Sequence, residues 1–395
     1  MGAVVLIEPL ILNIIFSVLL IATSVYCWLC LYAADDWRRA SVEAETDYPT
    51  ITLFKPICGE DPELLDNLRS FCRQDYPRFQ ILIGALEEDD PGLSAALQLQ
   101  SEWPELDLKV ISGRPPAGCN LKVSTLAMMS AFATGDIWVL SDSDMRAKPD
   151  YLRRVTAPFR DPAVGLVTCP YRGIKALGAA SRLEALGIGA DFMPSVLLTR
   201  KMEGMSFAFG STIAIRRAVM NEIGGFTAIA DVLADDYWLG RHTANLGYRV
   251  VLSDYGMDCV LGHERLKAML ARRLRWAKTV RVCMPAGYAG LAITYSIAIA
   301  LSALLIHPTA LILWLAAVAL LSRIVTVGMI SFLATKDFTV IRNLWLLPIN
   351  DILSLVIWAI SFFGNTITWR GQRFFLLKDG RLQPIQSSNR QETML

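Results

Sequence analysis

Residues 138–146, "WVLSDSDMR", run three apolar side chains into Asp142, Ser143 and Asp144, with no basic residue before Arg146. Two carboxylates two positions apart repel each other. Taken alone, the pair fits a turn or a helix N-cap as well as it fits chemistry. The sharper alternative is a divalent cation, whose charge makes two close carboxylates favourable and whose preference for hard oxygen ligands suits Mg2+ or Mn2+. Magnesium needs only one or two protein carboxylates when substrate phosphates complete its shell, so the expected ligand is a diphosphate. Three other stretches add to this. "LEEDDPG" (86–92) ends its acidic run at Asp90; a solvated loop that charges the next helix N-terminus is the plain account. "LADDYWLG" (233–240) sets Asp235 and Asp236 at the head of an amphipathic segment, where capping is the plain account. "ARRLRWAKTVR" (271–281) puts Arg272, Arg275 and Trp276 at i, i+3 and i+4, one face of a helix. A basic helix before an apolar segment also serves as an interfacial anchor. Four separate plain accounts, needed in this order along one chain, are less economical than one site.

The elements that must hold these residues alternate between strand and helix signals. "ITLFKPI" (51–57), "FQILIGAL" (79–86), "LDLKVIS" (106–112) and "DIWVLSD" (136–142) read as strands. Asp61-Pro62 opens a helix after the first, Pro91 opens another, and "LKVSTLAMMSAFA" has helical spacing. Continuous apolar strands alternating with helices predict a parallel α/β sheet covered on both faces. Ligands of such sheets bind at the carboxyl ends of the strands, which is where Asp142 falls.

The chain has 395 residues, 53% of them hydrophobic, and 38 basic against 37 acidic residues. No basic excess is available to neutralise a nucleic-acid backbone. The apolar residues concentrate at the two ends, in one run at 9–33 and a second stretch from 289 to about 364. A bilayer core needs roughly 20 apolar residues per helix. The first run therefore predicts one membrane helix, and the second about three, near 289–306, 309–333 and 343–364. The first run lacks a basic n-region and a small-residue cleavage site, so it reads as a retained anchor rather than a signal peptide. Arg38 and Arg39 follow it and Glu8 precedes it, which puts the middle domain in the cytoplasm. Three further crossings would then leave the tail from Thr366 outside, although it carries Arg370, Arg373, Lys378 and Arg381. Asn350 and Asp351 also weaken the last segment. Either that segment is re-entrant or the tail breaks the charge rule. The eight cysteines are scattered, and Cys27-x-x-Cys30 lies in an apolar run, where packing is the better reading. The three histidines are not at ligand spacing, which argues against zinc.

The ordered set of Asp90, "SDSD", "DDYW" and R-x-x-R-W resembles inverting GT-A glycosyltransferases of family 2 type, and more closely the ceramide glucosyltransferase family. "KPICGEDPELLDNLRSFCRQDYPRFQILIGALEEDDP", "LADDYWLGRHTANLGYRVVLSD" and "RRLRWAKTVRVCMPAGY" carry that resemblance over about residues 1–370. Bacterial members acting in hopanoid biosynthesis are similar in "KVSTL", "SDSDMRAKPDYLRRVTAPFRDPAVGLVTCPYRG" and "FAFGSTIAIRR". The resemblance implies a GT-A (Rossmann-like) nucleotide-sugar domain with one N-terminal and about three C-terminal transmembrane helices. It divides the chain into an anchor (1–36), a cytoplasmic catalytic domain (37–288), membrane helices (289–365) and a basic polar tail (366–395), in a bacterial inner membrane. It gives Asp90 and Asp142 to the nucleotide sugar and Asp144 to the metal beside Asp142. Asp236 becomes the general base, and Arg272, Arg275 and Trp276 complete the donor site. Eukaryotic ceramide enzymes have a small residue at the position of Asp144. They also place a histidine before the acceptor region, where this chain has "LGIGADFMPSV".

The expected reaction transfers a sugar from a UDP-sugar to the hydroxyl of a membrane lipid, with Mg2+ or Mn2+ and the two arginines offsetting the charge of the leaving diphosphate. Asp236 would take the acceptor's proton, and a single base with no covalent carboxylate implies inversion. The resemblance ranks N-acetylglucosamine onto the hopanoid polyol bacteriohopanetetrol first and glucose onto ceramide second. A processive polysaccharide synthase or a non-catalytic membrane scaffold fits less well. Lys122 and Arg172 are expected as surface charges before anion contacts. Residues 183–201 read either as a buried core helix or as a helix lying in the membrane plane.

Overall fold

The computed structural model describes residues 2–39, 48–113 and 118–385, with side chains from Pro9 onward. The Glu8 side chain, residues 40–47, residues 114–117 and the tail from 386 fall outside that description. In chain order the strands are β1 (Ile51–Ile57), β2 (Phe79–Ala85), β3 (Asp107–Ser112), β4 (Ile137–Ser141), β5 (Met145–Arg146), β6 (Val164–Thr168), β7 (Tyr171–Ile174), β8 (Thr212–Arg216), β9 (Arg249–Leu252), β10 (Met257–Val260), β11 (Thr366–Trp369), β12 (Gln372–Leu376) and β13 (Leu382–Pro384). The main sheet has seven strands in the order β3-β2-β1-β4-β8-β6-β9. β1, β2, β3 and β4 are mutually parallel, and the chain reverses its direction of travel across the sheet between β1 and β4. The carboxyl ends of those two strands therefore border the switch-point crevice. The apolar runs are buried on both faces. Leu53, Ile81 and Val139 join one core with Phe71 and Leu152. Phe54, Leu82 and Leu140 join the other with Leu126 and Phe226.

The second half of the sheet is not all parallel: β8 runs antiparallel to both β4 and β6. The chain leaves the sheet at the carboxyl end of β6 and re-enters beside that same end, pairing Thr168 with Ile213. An excursion that starts and ends at one edge can only bring the chain back in the opposite direction. That excursion contains a nearly continuous helical stretch, 179–203, with a π-helical turn at Gly187–Phe192. Met193, Val196 and Leu197 pack on Cys30, Ala33 and Trp37 of the first helix. Leu183, Leu186 and Ala190 pack on Met269, Val327 and Leu347. The stretch 183–201 is thus wedged between the sheet domain and the apolar helices, buried by both.

The first helix, Gly2–Arg39, holds a candidate span at Pro9–Arg39, and Ala310–Ala334 and Leu344–Ser361 are long and apolar enough to be others. The stretch expected near 289–306 is instead a bent pair, Pro285–Thr294 and Ser296–Ile306, at 61°. The break has a partner: the Asp351 carboxylate accepts the Ile297 N–H at 3.1 Å, supplying a donor-satisfying cap in the middle of an apolar run. Arg323 closes the cluster with Asp351 at 2.8 Å and Asp191 at 2.5 Å. Its burial is tolerable because two carboxylates and the Ala190 carbonyl satisfy it.

The segment expected as a basic polar tail is a three-stranded antiparallel sheet, β11-β12-β13. It docks against the strand-to-helix connection ahead of Asp235. Leu233 donates to the Gly380 carbonyl at 3.1 Å and Leu382 to the Asp231 carbonyl at 2.7 Å.

Candidate functional site

Asp142 follows β4 directly, so its direction is fixed by a strand buried along its whole length. Lys122, on the helix Leu121–Ser130 that Asn120 caps, reaches Asp142 Oδ1 at 2.5 Å and Asp235 Oδ2 at 3.8 Å. It is not a surface charge. Burial alone would lower the ammonium's pKa, but Asp142 and Asp235 outweigh burial and raise it. Arg172 is not on the surface either: it pairs with Asp258 at 2.6 Å and donates to the Thr335 and Lys336 carbonyls, tying β7 to the loop after Ala310–Ala334.

Asp144 is buried. Its Oδ2 accepts from the Cys259 thiol at 3.4 Å, while Oδ1 has no hydrogen-bond partner. Burial first, then the neighbouring Asp142 and Asp61 carboxylates, push its pKa upward. Asp236 is the second residue of the helix Asp235–Asn245, and its carboxylate accepts the Gly210 N–H at Oδ2 and the Tyr237 N–H at Oδ1, both at 2.8 Å. Burial and the adjacent Asp235 raise it above the ordinary carboxylate range. Asp235 faces Lys122 and Asn120 instead.

Gly210 marks where these groups meet. A methyl group built on its Cα would lie 3.2 Å from Lys122 Nζ, 3.3 Å from Asp142 Oδ2 and 3.5 Å from Asp236 Oδ2. The Asp142 and Asp236 carboxylates and the Lys122 ammonium therefore all close on the same glycine.

Asp90 lies apart from that point. Both of its oxygens accept the Gly59 N–H, at 3.0 and 2.9 Å, and Oδ1 also accepts the Gly92 N–H at 2.8 Å. It thereby ties the loop after β1 to the loop after β2. The helix Leu266–Cys283 carries the two arginines and Trp276, but the arginines differ. Arg272 grips Glu264 with both terminal nitrogens, at 2.5 and 2.6 Å, and Glu184 at 3.1 Å. Trp276 is partly exposed, with its ring centroid 5.5 Å from the Arg272 guanidinium carbon. Arg275 forms no salt bridge among the described residues. Burial, with repulsion from Arg272 and Arg370, brings its pKa down to about 10.

Sequence reasoning passed over Lys55, although a lysine inside "ITLFKPI" was a visible anomaly. It is fully buried, donates to the Asp142 carbonyl and to Ser141 Oγ at 3.4 Å, and lies 3.8 Å above the Phe71 ring. Burial pushes its pKa down to about 7, against the pull of Asp142, Asp144 and Asp61.

A mixed seven-stranded sheet with carboxylates at its switch point defines a class, the GT-A glycosyltransferases. A mannosyltransferase from Pyrobaculum calidifontis, solved with GDP-Man and Mn2+, superposes with a TM-score of 0.52 over 88% of this chain and 99% of its own, at 20% identity. The sequence matches Glycosyl transferase family 21 over residues 14–382, and the chain belongs to that family. Ceramide glucosyltransferase 3 of Caenorhabditis elegans is 24% identical over 359 residues, 87% of this chain and 76% of that protein. The ceramide glucosyltransferase of Komagataella phaffii is 33% identical over 112 residues, 27% of this chain and 22% of that protein.

Proposed function

We propose that the protein transfers a sugar from a UDP-sugar to the hydroxyl of a membrane lipid, inverting the anomeric carbon. The observation that carries this reading is the convergence of Asp142, Lys122 and Asp236 around Gly210. Asp142 and Asp144 suit Mg2+ or Mn2+, because a buried Asp144 oxygen has no protein partner and the pair offers only hard oxygen donors. When bound, the ion offsets the charge that develops on the leaving diphosphate. Arg275, free of carboxylate partners among the described residues, is the guanidinium we assign to that diphosphate. Arg272, held by Glu264 and Glu184, fixes the helix that presents Arg275, and Trp276 offers an apolar wall. Asp90 shapes the nucleotide pocket through the Gly59 loop. Asp236 takes the proton of the attacking hydroxyl. The two N–H groups on its carboxylate hold it in one orientation, and its raised pKa makes it a stronger base than an exposed aspartate.

The lipid acceptor is supported by the 179–203 stretch, which joins the domain to the apolar helices and so holds the site near the headgroups. Arg38 and Arg39, after the first span, favour a catalytic domain on the cytoplasmic face. The named relatives favour glucose and ceramide. A second pair, N-acetylglucosamine and bacteriohopanetetrol, is favoured by "SDSDMRAKPDYLRRV" and by the absence of a histidine in "LGIGADFMPSV". The test is the purified enzyme in lipid nanodiscs, offered each donor–lipid pair, with UDP release and product mass as readouts. UDP release stoichiometric with a glycosylated lipid supports the reading, and the productive pair ranks the two acceptors. Transfer to soluble sugars alone would remove the lipid claim.

A further inference from the structure

The hairpin of β11 and β12 has a two-residue tip, with Trp369 paired to Gln372 across it. Both tip residues are left-handed: Arg370 at φ 47° and Gly371 at φ 76°. Asparagine or glycine is the residue suited to the first position of such a turn, and an arginine there is held against its own preference. Backbone strain at a charged, exposed side chain calls for an explanation outside the turn. The surroundings supply one. The Trp369 ring lies near two guanidiniums, 5.9 Å from Arg275 and 5.7 Å from Arg370, measured centroid to guanidinium carbon. The hairpin cannot drift from the site. Lys278 Nζ donates to the Thr366 carbonyl at 3.0 Å, Arg281 donates to Asn365 at 2.5 Å, and both cations sit on the helix that carries Arg275. On its other side the sheet bonds to residues 231–233, just ahead of Asp235. Arg370 forms no salt bridge among the described residues. Its charge is felt at Asp61, whose pKa burial raises and nearby cations, Arg370 among them, lower. Asp61 in turn accepts from Ser143, the residue between Asp142 and Asp144.

We propose that Arg370 is a further donor-binding residue, which the C-terminal hairpin holds over the site to contact the diphosphate of the nucleotide sugar alongside Arg275. The inference rests on the nucleotide-sugar reading above. Two guanidiniums near one ring, neither with a carboxylate partner among the described residues, suit an anion, and a diphosphate offers acceptors to both. Trp369 contacts both guanidiniums. Arg370 acts on Asp61, in the loop after β1 that Asp90 holds through Gly59, so the hairpin borders the proposed donor site from outside residues 37–288.

Arg370→Asn separates this role from a structural one, because Asn-Gly is a favoured tip for this turn. We expect the variant to keep or raise the thermal midpoint in full-length enzyme. UDP binding in the presence of Mn2+ should weaken roughly tenfold or more, the scale of one charged hydrogen bond. The donor KM should rise in step while uridine binding is unchanged. Arg370→Lys should recover part of the UDP affinity. Asn-variant affinity for UDP within twofold of wild type would overturn the proposal, as would equal losses for UDP and uridine. Wild-type enzyme that binds UDP but glycosylates no lipid would remove the acceptor reading and leave the clamp supported. Wild-type enzyme that binds no UDP would overturn both.

Discussion

Gly210→Ala tests the reacting centre without changing a single charge. Gly210 is not in the left-handed region, so alanine meets no backbone strain there. The added methyl meets the ends of three side chains at 3.2, 3.3 and 3.5 Å, contacts that need shifts of only a few tenths of an ångström. Gly-to-Ala exchange at a compatible site stabilises by about 0.4–1 kcal/mol through the unfolded chain. That offsets the crowding, so the thermal midpoint should change little. The Gly210 N–H still donates to Asp236. The methyl nevertheless lies against both Asp142 and Asp236, where the proposed reaction would bring the anomeric carbon and the acceptor oxygen. Displacing reacting atoms by about 1 Å costs on the order of 10²-fold in rate, or ~2.7 kcal/mol of barrier. Single-turnover UDP release under saturating donor should fall by about that factor, with UDP affinity within a few-fold by calorimetry. Turnover within about threefold of wild type would show that the reaction does not occur at Gly210.

Asp236→Asn should lower turnover by roughly 10²–10⁴ while UDP still binds; near-normal turnover would move the base role to Asp235. Because burial and Asp235 raise the Asp236 pKa, its proton-accepting form is lost on acidification at a higher pH than an exposed aspartate's. A rate profile whose acid limb lies in the ordinary carboxylate range would contradict that environment. Exhaustive EDTA treatment should stop transfer, and Mg2+ or Mn2+ should restore it; full activity after chelation would leave the diphosphate to the arginines alone. In sealed vesicles, a cysteine at Lys378→Cys should label from the same side as the exposed native Cys58, and one at Pro308→Cys from the other. Labelling of 308 and 378 from one side would refute the arrangement argued below.

The first half of the sheet was legible because its strands are continuous apolar runs closed by turn residues. The carboxylates were legible because charge at the end of a buried strand is conspicuous. What escaped depended on distant partners. The bend at Tyr295 depends on Asp351, 54 positions past Ile297. Lys122 looks like any helix-surface lysine until Asp142 and Asp235 close on it. Arg272 and Arg275 are equivalent in R-x-x-R-W, and only Glu184 and Glu264 distinguish them. The final sheet did leave a trace: "TITWRGQRFFLL" alternates in short stretches around Arg-Gly. An arginine in the first turn position conceals a hairpin that Asn-Gly would have announced.

The path of the apolar segments follows from their contacts, and it resolves the conflict between crossings and tail charge. Thr309 bonds to Asn13 at 3.1 Å, and Thr326 bonds to the Cys27 carbonyl at 3.2 Å. The loop at 307–309 therefore lies level with the start of the first helix, and Ala310–Ala334 returns along that helix towards its domain-side end. The bent pair must then run the other way, from the domain to that loop, with Thr23 against Ser296 partway along. Leu344–Ser361 does neither. Asn350 bonds to Arg273, Ser361 to Tyr288, and Asn365 to Arg281, so this segment follows Leu266–Cys283 and the start of the bent pair rather than the length of the first helix. Two crossings after the domain bring the chain back to the domain's own side. A last segment that does not cross would leave β11–β13 there, beside residues 231–233. Asn350 and Asp351, awkward in a span, then face Arg273 and Arg323 at the level of the 179–203 stretch. The basic residues at 370, 373, 378 and 381 fall on the same side as Arg38 and Arg39, which satisfies the charge rule. That return is also what carries Arg370 to the site, so a chain truncated after Ser361 should keep the sheet domain and lose the hairpin's share of donor affinity.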